Sequence, residues 1–200
     1  MTRWDRLTGG ASGEEYAARF AALAARGEDV HGEATFVDGL VVPGSRVLDA
    51  GCGTGRVAFR LAELGHHCVG VDVDASMLAV ARREAPGITW VHGDLADLPD
   101  EVRRDAPYDL VVLAGNVVPL LAAGTLSAVV AGLTDLLRPG GLLVAGFGLD
   151  DAHLPRGCPV TPLAEYDDAA TALTPVDRFS TWQAAPFDKG AGYVVTVHRR

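Results

Sequence analysis

The sequence predicts a doubly wound α/β fold, a mostly parallel sheet with helices on both faces. Short apolar strand patterns alternate with helical patterns from residue 46 to residue 147. A glycine-rich turn follows the first strand, and two strand patterns with no helix between them end the chain. This alternation is typical of right-handed βαβ units, which place parallel strands side by side.

The composition is that of one globular unit. The chain has 200 residues, of which 48% are apolar and 22% are charged, enough to bury a sizeable core. The formal net charge of -9 repels phosphate backbones, which disfavours nucleic acid as a partner. Three cysteines without a C-x-x-C spacing argue against a disulfide framework or a zinc knuckle.

The sequence also argues against a secretory leader and a membrane span. No apolar segment follows the charged residues among the first seven positions, so we predict a cytoplasmic protein. Residues 110–134 carry no charge and are long enough to cross a bilayer. Gly115, Pro119 and Gly124 interrupt this segment, and a buried strand, a loop and a core helix in succession explain it better.

The N-terminal section reads as helical. Ser12 and Glu15 have the spacing of a capping box, and apolar residues recur on one helical face from Tyr16 until Gly27 ends the pattern. A second, shorter helical pattern covers residues 30–37.

From residue 46 the pattern changes to alternating strands and helices. Apolar runs predict strands at 46–50, 67–72, 88–92, 108–113 and 142–147. Amphipathic periodicity predicts helices at 56–64, 75–85 and 125–138. Asp74 is placed to cap the second of these helices, and Pro139-Gly140-Gly141 is expected to end the third.

The C-terminal section differs from the rest. Residues 178–183 and 193–198 look like two strands, and the connection at 186–192 is too short for a helical crossover. Only antiparallel strands can be joined by so short a connection, so we expect an antiparallel pair.

Glycines occupy alternate positions after the first strand, in the segment DAGCGTG at 49–55. They let the backbone turn tightly and let a ligand approach without meeting a Cβ atom. The dinucleotide fingerprint G-x-G-x-x-G needs a glycine where this chain has Arg56, and the Lys-Ser/Thr of a P-loop is missing. An acidic strand end followed by G-x-G-x-G therefore indicates a ligand without a pyrophosphate.

Acidic residues also stand at the ends of the next two predicted strands. Asp72 closes the second strand, where a carboxylate can accept both hydroxyls of a ribose. Asp94 follows the third strand and is placed to accept a hydrogen bond from an adenine amino group. Because ligands of open parallel sheets collect beyond the carboxyl ends of the strands, these features together indicate a nucleotide site.

Five segments resemble class I S-adenosylmethionine-dependent methyltransferases. They are VLDAGCGTGR (47–56), VGVDVDASML (69–78), GDLADLP (93–99), YDLVVLAGNVVPLL (108–121) and LLRPGGLLVAGF (136–147). Together they span about half of the chain, in the family's order and approximate spacing. The resemblance implies a Rossmann-like sheet of about seven strands that ends in an antiparallel hairpin, which agrees with the pattern of the C-terminal section.

The resemblance also implies S-adenosylmethionine as the cofactor. We expect an N-terminal helical lid, 1–44, on a cofactor-binding domain, 45–200, in one globular unit. The glycine loop would hold the methionine part, and residues after the second and third strands would hold the ribose and adenine. The implied cofactor contacts are Tyr16, Asp49, Ala50, Gly51, Gly53, Asp72, Val73, Met77, Asp94, Leu95 and Asn116.

The resemblance assigns no catalytic side chain, because a sulfonium is already an activated methyl donor. A base for an oxygen or nitrogen acceptor is a hypothesis for His31 and Glu33 in the lid and for His153 after the fifth strand. The alternative is that all three are ordinary polar groups of a helix start or a loop. No metal is predicted, a metal site at Asp150, Asp151 and His153 being the lesser alternative.

We predict a small-molecule acceptor and a monomer or homodimer without a membrane partner. Three other functions stay open at this point. They are methylation of protein or tRNA, a non-catalytic regulatory module that binds S-adenosylmethionine, and a nicotinamide oxidoreductase.

Overall fold

The computed structural model describes residues 2–9 and 13–200, in which seven strands form one sheet between layers of helices. The strands are β1 (Arg46–Ala50), β2 (His67–Asp72), β3 (Thr89–His92), β4 (Tyr108–Leu113), β5 (Leu137–Gly148), β6 (Thr174–Phe179) and β7 (Tyr193–Arg199). The helices are α1 (Arg3–Thr8), α2 (Gly13–Ala25), α3 (Gly32–Asp38), α4 (Arg56–Glu63), α5 (Ala75–Glu84), α6 (Asp100–Arg104), α7 (Val117–Leu120), α8 (Leu126–Leu136) and α9 (Leu163–Ala169).

The sheet has the order β3-β2-β1-β4-β5-β7-β6. The first five strands in this order are parallel, whereas β7 pairs antiparallel with both β5 and β6. The chain reverses its winding between β3 and β4, so the carboxyl ends of β1 and β4 lie at the topological switch point, where such sheets bind ligands. The predicted α/β fold with a C-terminal antiparallel hairpin is confirmed.

The two faces of the sheet pack on different helices. In β1, the buried side chain of Leu48 joins a cluster that includes residues of α6, α8 and α9. Its neighbour Val47 points to the other face and packs with residues of α3 and α4. Successive residues of a strand point to opposite faces, so both layers hold β1 and fix the position of the loop that follows it.

The predicted helix start at Asp74 is confirmed. Its Oδ1 accepts hydrogen bonds from the backbone amides of Ser76 at 2.8 Å and Met77 at 3.3 Å, as an N-cap residue does. The capping box predicted for Ser12 with Glu15 lies partly outside the described residues, because Ser12 is not among them.

The predicted end of the helix at 125–138 is wrong. Helix α8 ends at Leu136, and β5 begins at once with Leu137 and contains Pro139-Gly140-Gly141. Leu137 pairs with Tyr108 of β4, and a shift of register before Leu110 accommodates the proline and glycines. Pro139-Gly140-Gly141 therefore marks an irregularity inside β5 and not the end of the preceding helix.

The predicted position of the sixth strand is also wrong. The antiparallel pair exists, but β6 covers Thr174–Phe179 instead of 178–183. Residues 180–185 form a turn in which the Ser180 amide donates to the Ala185 carbonyl and Ala184 has a φ of 60°. Four short helices, α1, α6, α7 and α9, were not predicted.

The uncharged segment 110–134 is divided among β4, α7 and α8, much as the sequence suggested. Within the described part of the chain, no helix combines the length and the apolar character needed to cross a bilayer.

Candidate functional site

A cleft opens at the carboxyl ends of the first four strands. Its empty space, counted out to the open mouth, is about 880 Å³. Nine of the eleven predicted cofactor contacts line it: Tyr16, Asp49, Gly51, Gly53, Asp72, Val73, Met77, Asp94 and Leu95. Residues from four separate parts of the sequence, at 16, 49–53, 72–77 and 94–95, therefore share one concave surface.

The glycine loop forms one side of the cleft. Gly51, Gly53 and Gly55 have φ values of +79°, +55° and +80°, in the region that favours glycine. A Cβ atom on Gly53 would meet nothing closer than the Met77 sulfur at 4.0 Å, so its outer face is open. The loop therefore offers bare backbone to a ligand at Gly53.

Asp72 holds this loop in place from the end of β2. Its Oδ2 accepts a hydrogen bond from the Gly53 amide at 2.7 Å, and its Oδ1 accepts one from the Asp74 amide at 2.8 Å. Burial raises the pKa of the Asp72 carboxyl despite these bonds, because desolvation disfavours the charged form. A carboxylate has about four acceptor positions, so Asp72 keeps capacity for donors from a ligand.

Asp49 is the most buried acid of the cleft, with 1% of its surface exposed. Its Oδ2 accepts from the Ala58 amide at 3.1 Å, near the start of α4. Burial raises the pKa of Asp49 to about 7, against a usual value near 4. A cationic ligand group beside this carboxyl would favour its charged form.

Another part of the cleft wall is apolar. Met77 and Leu95 are buried, and with Val73 they form an apolar part of the cleft wall. Asp94 stands beside it, with its Oδ1 accepting from the Ala96 amide at 2.9 Å. The predicted adenine contacts therefore lie together.

The N-terminal helices cover part of the cleft. The Trp4 indole Nε1 donates to Asp74 Oδ2 at 2.8 Å, and the Trp4 and Tyr16 rings meet edge to face at 6.5 Å. The Gly13 amide donates to Ser76 Oγ at 3.1 Å, and a Cβ atom on Gly13 would lie 2.3 Å from the Ser76 carbonyl oxygen. Both α1 and α2 are therefore joined to the start of α5.

Arg56 lines the cleft and was not predicted as a site residue. It forms a bidentate ion pair with Glu33, at 2.6 Å and 2.8 Å, and also donates to the Val30 carbonyl. Its guanidinium carbon lies 4.5 Å from the centroid of the Phe20 ring. The ion pair is well buried, with exposed side-chain fractions of 14% for Arg56 and 17% for Glu33.

The structure does not bring the two lid candidates for a base into the cleft. Both carboxylate oxygens of Glu33 are bound by Arg56, so this residue is the partner of a cleft residue rather than a free base. The Nδ1 atom of His31 is buried and has no hydrogen-bond partner among the described residues.

Ala50 and Asn116 were predicted as cofactor contacts but do not line the cleft. Ala50 is buried in the core. Asn116 has a φ of 68°; its Oδ1 accepts from the Gly148 amide at 2.7 Å and its Nδ2 donates to the His153 carbonyl at 3.0 Å. The Asn116 side chain thus fixes the loop after β5, with the backbone of Gly115 forming the cleft wall.

His153 lies in that loop and pairs with Asp150, its Nδ1 atom being 2.7 Å from Oδ1. In the regions 2–9 and 13–200, no three His, Cys, Asp or Glu side chains are grouped so that they could hold a metal ion.

One signal could have revealed Arg56. It is the first residue of α4, where the partial positive charge of the helix N-terminus disfavours a cation. A cation at that place needs a counter-charge from elsewhere in the chain, and Glu33 supplies it. Trp4 offered no comparable signal, because its partner Asp74 is 70 residues away in the sequence.

Comparison with known proteins agrees with this geometry. Residues 47–141 match the family described as Methyltransferase domain. This range includes all of β1 except Arg46, the whole of β2 to β4, the glycine loop, Asp72 and Asp94.

Similar proteins extend the match to most of the chain. The structure of a TehB-like S-adenosylmethionine-dependent methyltransferase from Corynebacterium glutamicum superposes with a TM-score of 0.82 at 33% identity, covering 93% of this chain and 96% of that chain. An uncharacterised methyltransferase of Synechocystis sp. is 31% identical over 137 residues, 68% of this chain and 61% of that protein. The demethylmenaquinone methyltransferase of Beutenbergia cavernae is 36% identical over 105 residues, 51% of this chain and 40% of that protein.

The chain therefore spans less than two thirds of the length of these two curated relatives, but nearly the whole of the Corynebacterium glutamicum structure. The resemblance inferred from the five sequence segments is confirmed by the family match and by the fold. This chain belongs to the class I S-adenosylmethionine-dependent methyltransferases, whose cofactor is S-adenosylmethionine.

Proposed function

We propose that this chain transfers a methyl group from S-adenosylmethionine to a small-molecule acceptor. The observation that carries the proposal is the convergence of Asp49, Asp72 and Asp94 with the glycine loop on one cleft, at the ends of three successive strands. Ligands of such sheets bind at this edge.

The residues of the cleft fit the cofactor. Asp49 accepts one hydrogen bond from the described residues, through Oδ2, which leaves Oδ1 for a cationic amino group. Asp72 keeps acceptor positions for two ribose hydroxyls. The apolar wall formed by Val73, Met77 and Leu95 suits the faces of a base, and Asp94 lines the same cleft. When bound, S-adenosylmethionine supplies a methyl group already activated by the sulfonium.

The task of the chain is then to align the acceptor and to exclude water. Trp4 and Tyr16 stand over the cleft and are held there by the contacts of α1 and α2 with α5. We propose on this basis that residues 1–44 act as the lid of the site. Asp74, which binds Trp4, also caps the helix that carries Met77.

The charge of the chain favours a small acceptor over tRNA. With a formal net charge of -9, long-range forces repel a polyanion. A covered cleft also admits a small molecule more easily than a folded protein.

Calorimetric titration with S-adenosylmethionine, S-adenosylhomocysteine and NAD+ tests the cofactor. We expect both adenosyl ligands to bind and NAD+ not to bind. A ligand at 100 times its dissociation constant should stabilise the fold by about 2.7 kcal/mol, visible as a raised melting temperature. If neither adenosyl ligand binds, the proposal fails.

A second experiment tests transfer. Protein loaded with labelled methyl donor is incubated with pools of small metabolites, with tRNA and with protein extract, and the label is then followed. Label in a small molecule supports the proposal, and label in RNA or protein contradicts the proposed acceptor. Tight cofactor binding without any transfer would favour the regulatory module.

A further inference from the structure

A carboxylate and an imidazole form a fixed pair in the loop after β5. Asp150 Oδ1 lies 2.7 Å from Nδ1 of His153 and also accepts from the backbone amides of Ala152 at 3.0 Å and His153 at 3.1 Å. Because Oδ1 accepts from both backbone amides, it acts as a carboxylate acceptor towards Nδ1 as well, and Nδ1 is the donor; this hydrogen bond lowers the pKa of Asp150. Asp150 thus fixes both the turn and the tautomer of the ring.

The other ring nitrogen of His153 is free to act. With the proton on Nδ1, a neutral imidazole presents an unprotonated Nε2 atom. No hydrogen bond joins Nε2 to any of the described residues, and 47% of the His153 side chain is exposed. This is the arrangement in which a carboxylate orients a histidine base.

The loop that carries this pair is attached to the rim of the cleft. The Asn116 side chain bonds the His153 carbonyl on one side and the Gly148 amide on the other. Asn116 directly follows Gly115, which lines the cleft. His153 therefore does not line the cleft itself, but it is bonded through Asn116 to the segment after β4 that does.

Tyr193 packs beside the imidazole of His153. Its ring centroid lies 6.3 Å from that of His153, and its hydroxyl oxygen accepts from the Trp182 indole at 3.1 Å. Burial is the main reason that the pKa of Tyr193 is raised, and the hydrogen bond with Trp182 acts in the opposite direction.

We propose that Nε2 of His153 is the general base for an acceptor that reacts through a hydroxyl oxygen or an amine nitrogen. This inference rests on the proposed function. As the new O–CH3 or N–CH3 bond forms, the S–CH3 bond breaks and its electron pair stays on sulfur. Nε2 takes the proton of the acceptor, and the Asp150 carboxylate stabilises the resulting imidazolium.

Nuclear magnetic resonance tests this inference without a known acceptor. Protein labelled in the histidine rings and methionine methyl groups is titrated with S-adenosylhomocysteine at pH 8. We expect His153 to be protonated on Nδ1, and we expect its signals and those of Met77 to shift. His67 is the control and should not respond, because it is exposed at the amino end of β2, whereas the cleft lies at the carboxyl ends of the strands.

Two variants sharpen the test. Asp150→Asn should move proton density in His153 from Nδ1 towards Nε2, because the amide no longer requires a donor. His153→Gln should bind S-adenosylhomocysteine within twofold of the wild type, because His153 does not line the cofactor cleft.

The outcomes separate the two claims. A His153 protonated on Nε2 in the wild type overturns the inference, and so does a shift of Met77 with no response from His153. If neither Met77 nor His153 responds, the cofactor does not bind and the proposed function falls with the inference.

Discussion

The backbone amide of Gly53 donates a hydrogen bond of 2.7 Å to Oδ2 of Asp72. This bond joins the loop after β1 to the end of β2, across two neighbouring parallel strands. One carboxylate thus shapes the glycine loop and faces the cleft at the same time, so a change at Asp72 should affect the cofactor site twice.

Asp72→Ala should weaken S-adenosylhomocysteine binding at least tenfold, or about 1.4 kcal/mol. The variant loses acceptors for the ligand and releases the Gly53 amide from its position. Calorimetry measures the effect, and Asp168→Ala, which removes an exposed acid of α9, is the control with the same change of charge. An unchanged dissociation constant would remove Asp72 from the site.

Asp49→Asn should change the pH dependence of stability. Burial raises the pKa of Asp49 to about 7, so the fold favours the protonated acid and ionisation destabilises it. This loss of stability is absent below about pH 4, grows as the pH rises and is complete above about pH 7. About three pKa units correspond to up to about 4 kcal/mol.

Denaturant unfolding of the wild type and Asp49→Asn at pH 4.5, 6 and 8 measures this effect. Each protein is compared with its own free energy of unfolding at pH 4.5. As the pH rises, this free energy should fall further in the wild type than in Asp49→Asn. Parallel curves for the two proteins would show that Asp49 is not a buried acid of this kind.

The ion pair of Arg56 with Glu33 should behave as a buried pair. Glu33→Gln leaves the guanidinium without a counter-charge and should destabilise the fold by about 2–3 kcal/mol. Because an apolar pair of similar volume can replace a buried ion pair, Arg56→Met with Glu33→Leu should recover most of this loss. A double-mutant cycle from denaturant curves measures the coupling, and additive effects would contradict it.

Trp4→Phe should speed the dissociation of S-adenosylhomocysteine at least threefold. The variant keeps a ring against Tyr16 but loses the hydrogen bond to Asp74 that holds α1 over the cleft. Stopped-flow displacement measures the rate. Arg83→Gln is the control, since its exposed ion pair with Glu14 also joins α2 to α5, and exposed pairs contribute little. Equal effects of the two variants would argue against a lid.

The strands whose bounds could be predicted from the sequence are the buried ones that lie between two layers of helices. β1, β2 and β4 match their predicted bounds, because apolar runs that face two helical layers leave a clear pattern. β6 was misplaced because it carries no such pattern. Its first four residues are exposed and it is held by backbone pairing with β7, which side-chain periodicity does not report.

The part of the candidate cofactor site that lies at strand ends could be predicted from the sequence. Gly53, Asp72 and Asp94 stand at places that topology alone brings together. The contributions of Trp4 and Arg56 depend on contacts with partners 70 and 23 residues away, which local patterns do not encode. Asn116 was located correctly after a strand, but its side chain bonds the backbone of Gly148 and His153 instead of lining the cleft.

The contacts of α1 also set an order of events during synthesis. The Arg3 side chain donates to the Pro119 carbonyl, 116 residues away in the sequence, and the Trp4 indole donates to Asp74, 70 residues away. Helix α1 therefore reaches its final contacts only after β4 and most of α7 have been synthesised. Closing so long a loop has an entropic cost, so α1 is expected to dock onto a sheet that already contains β1 to β4 rather than to nucleate it.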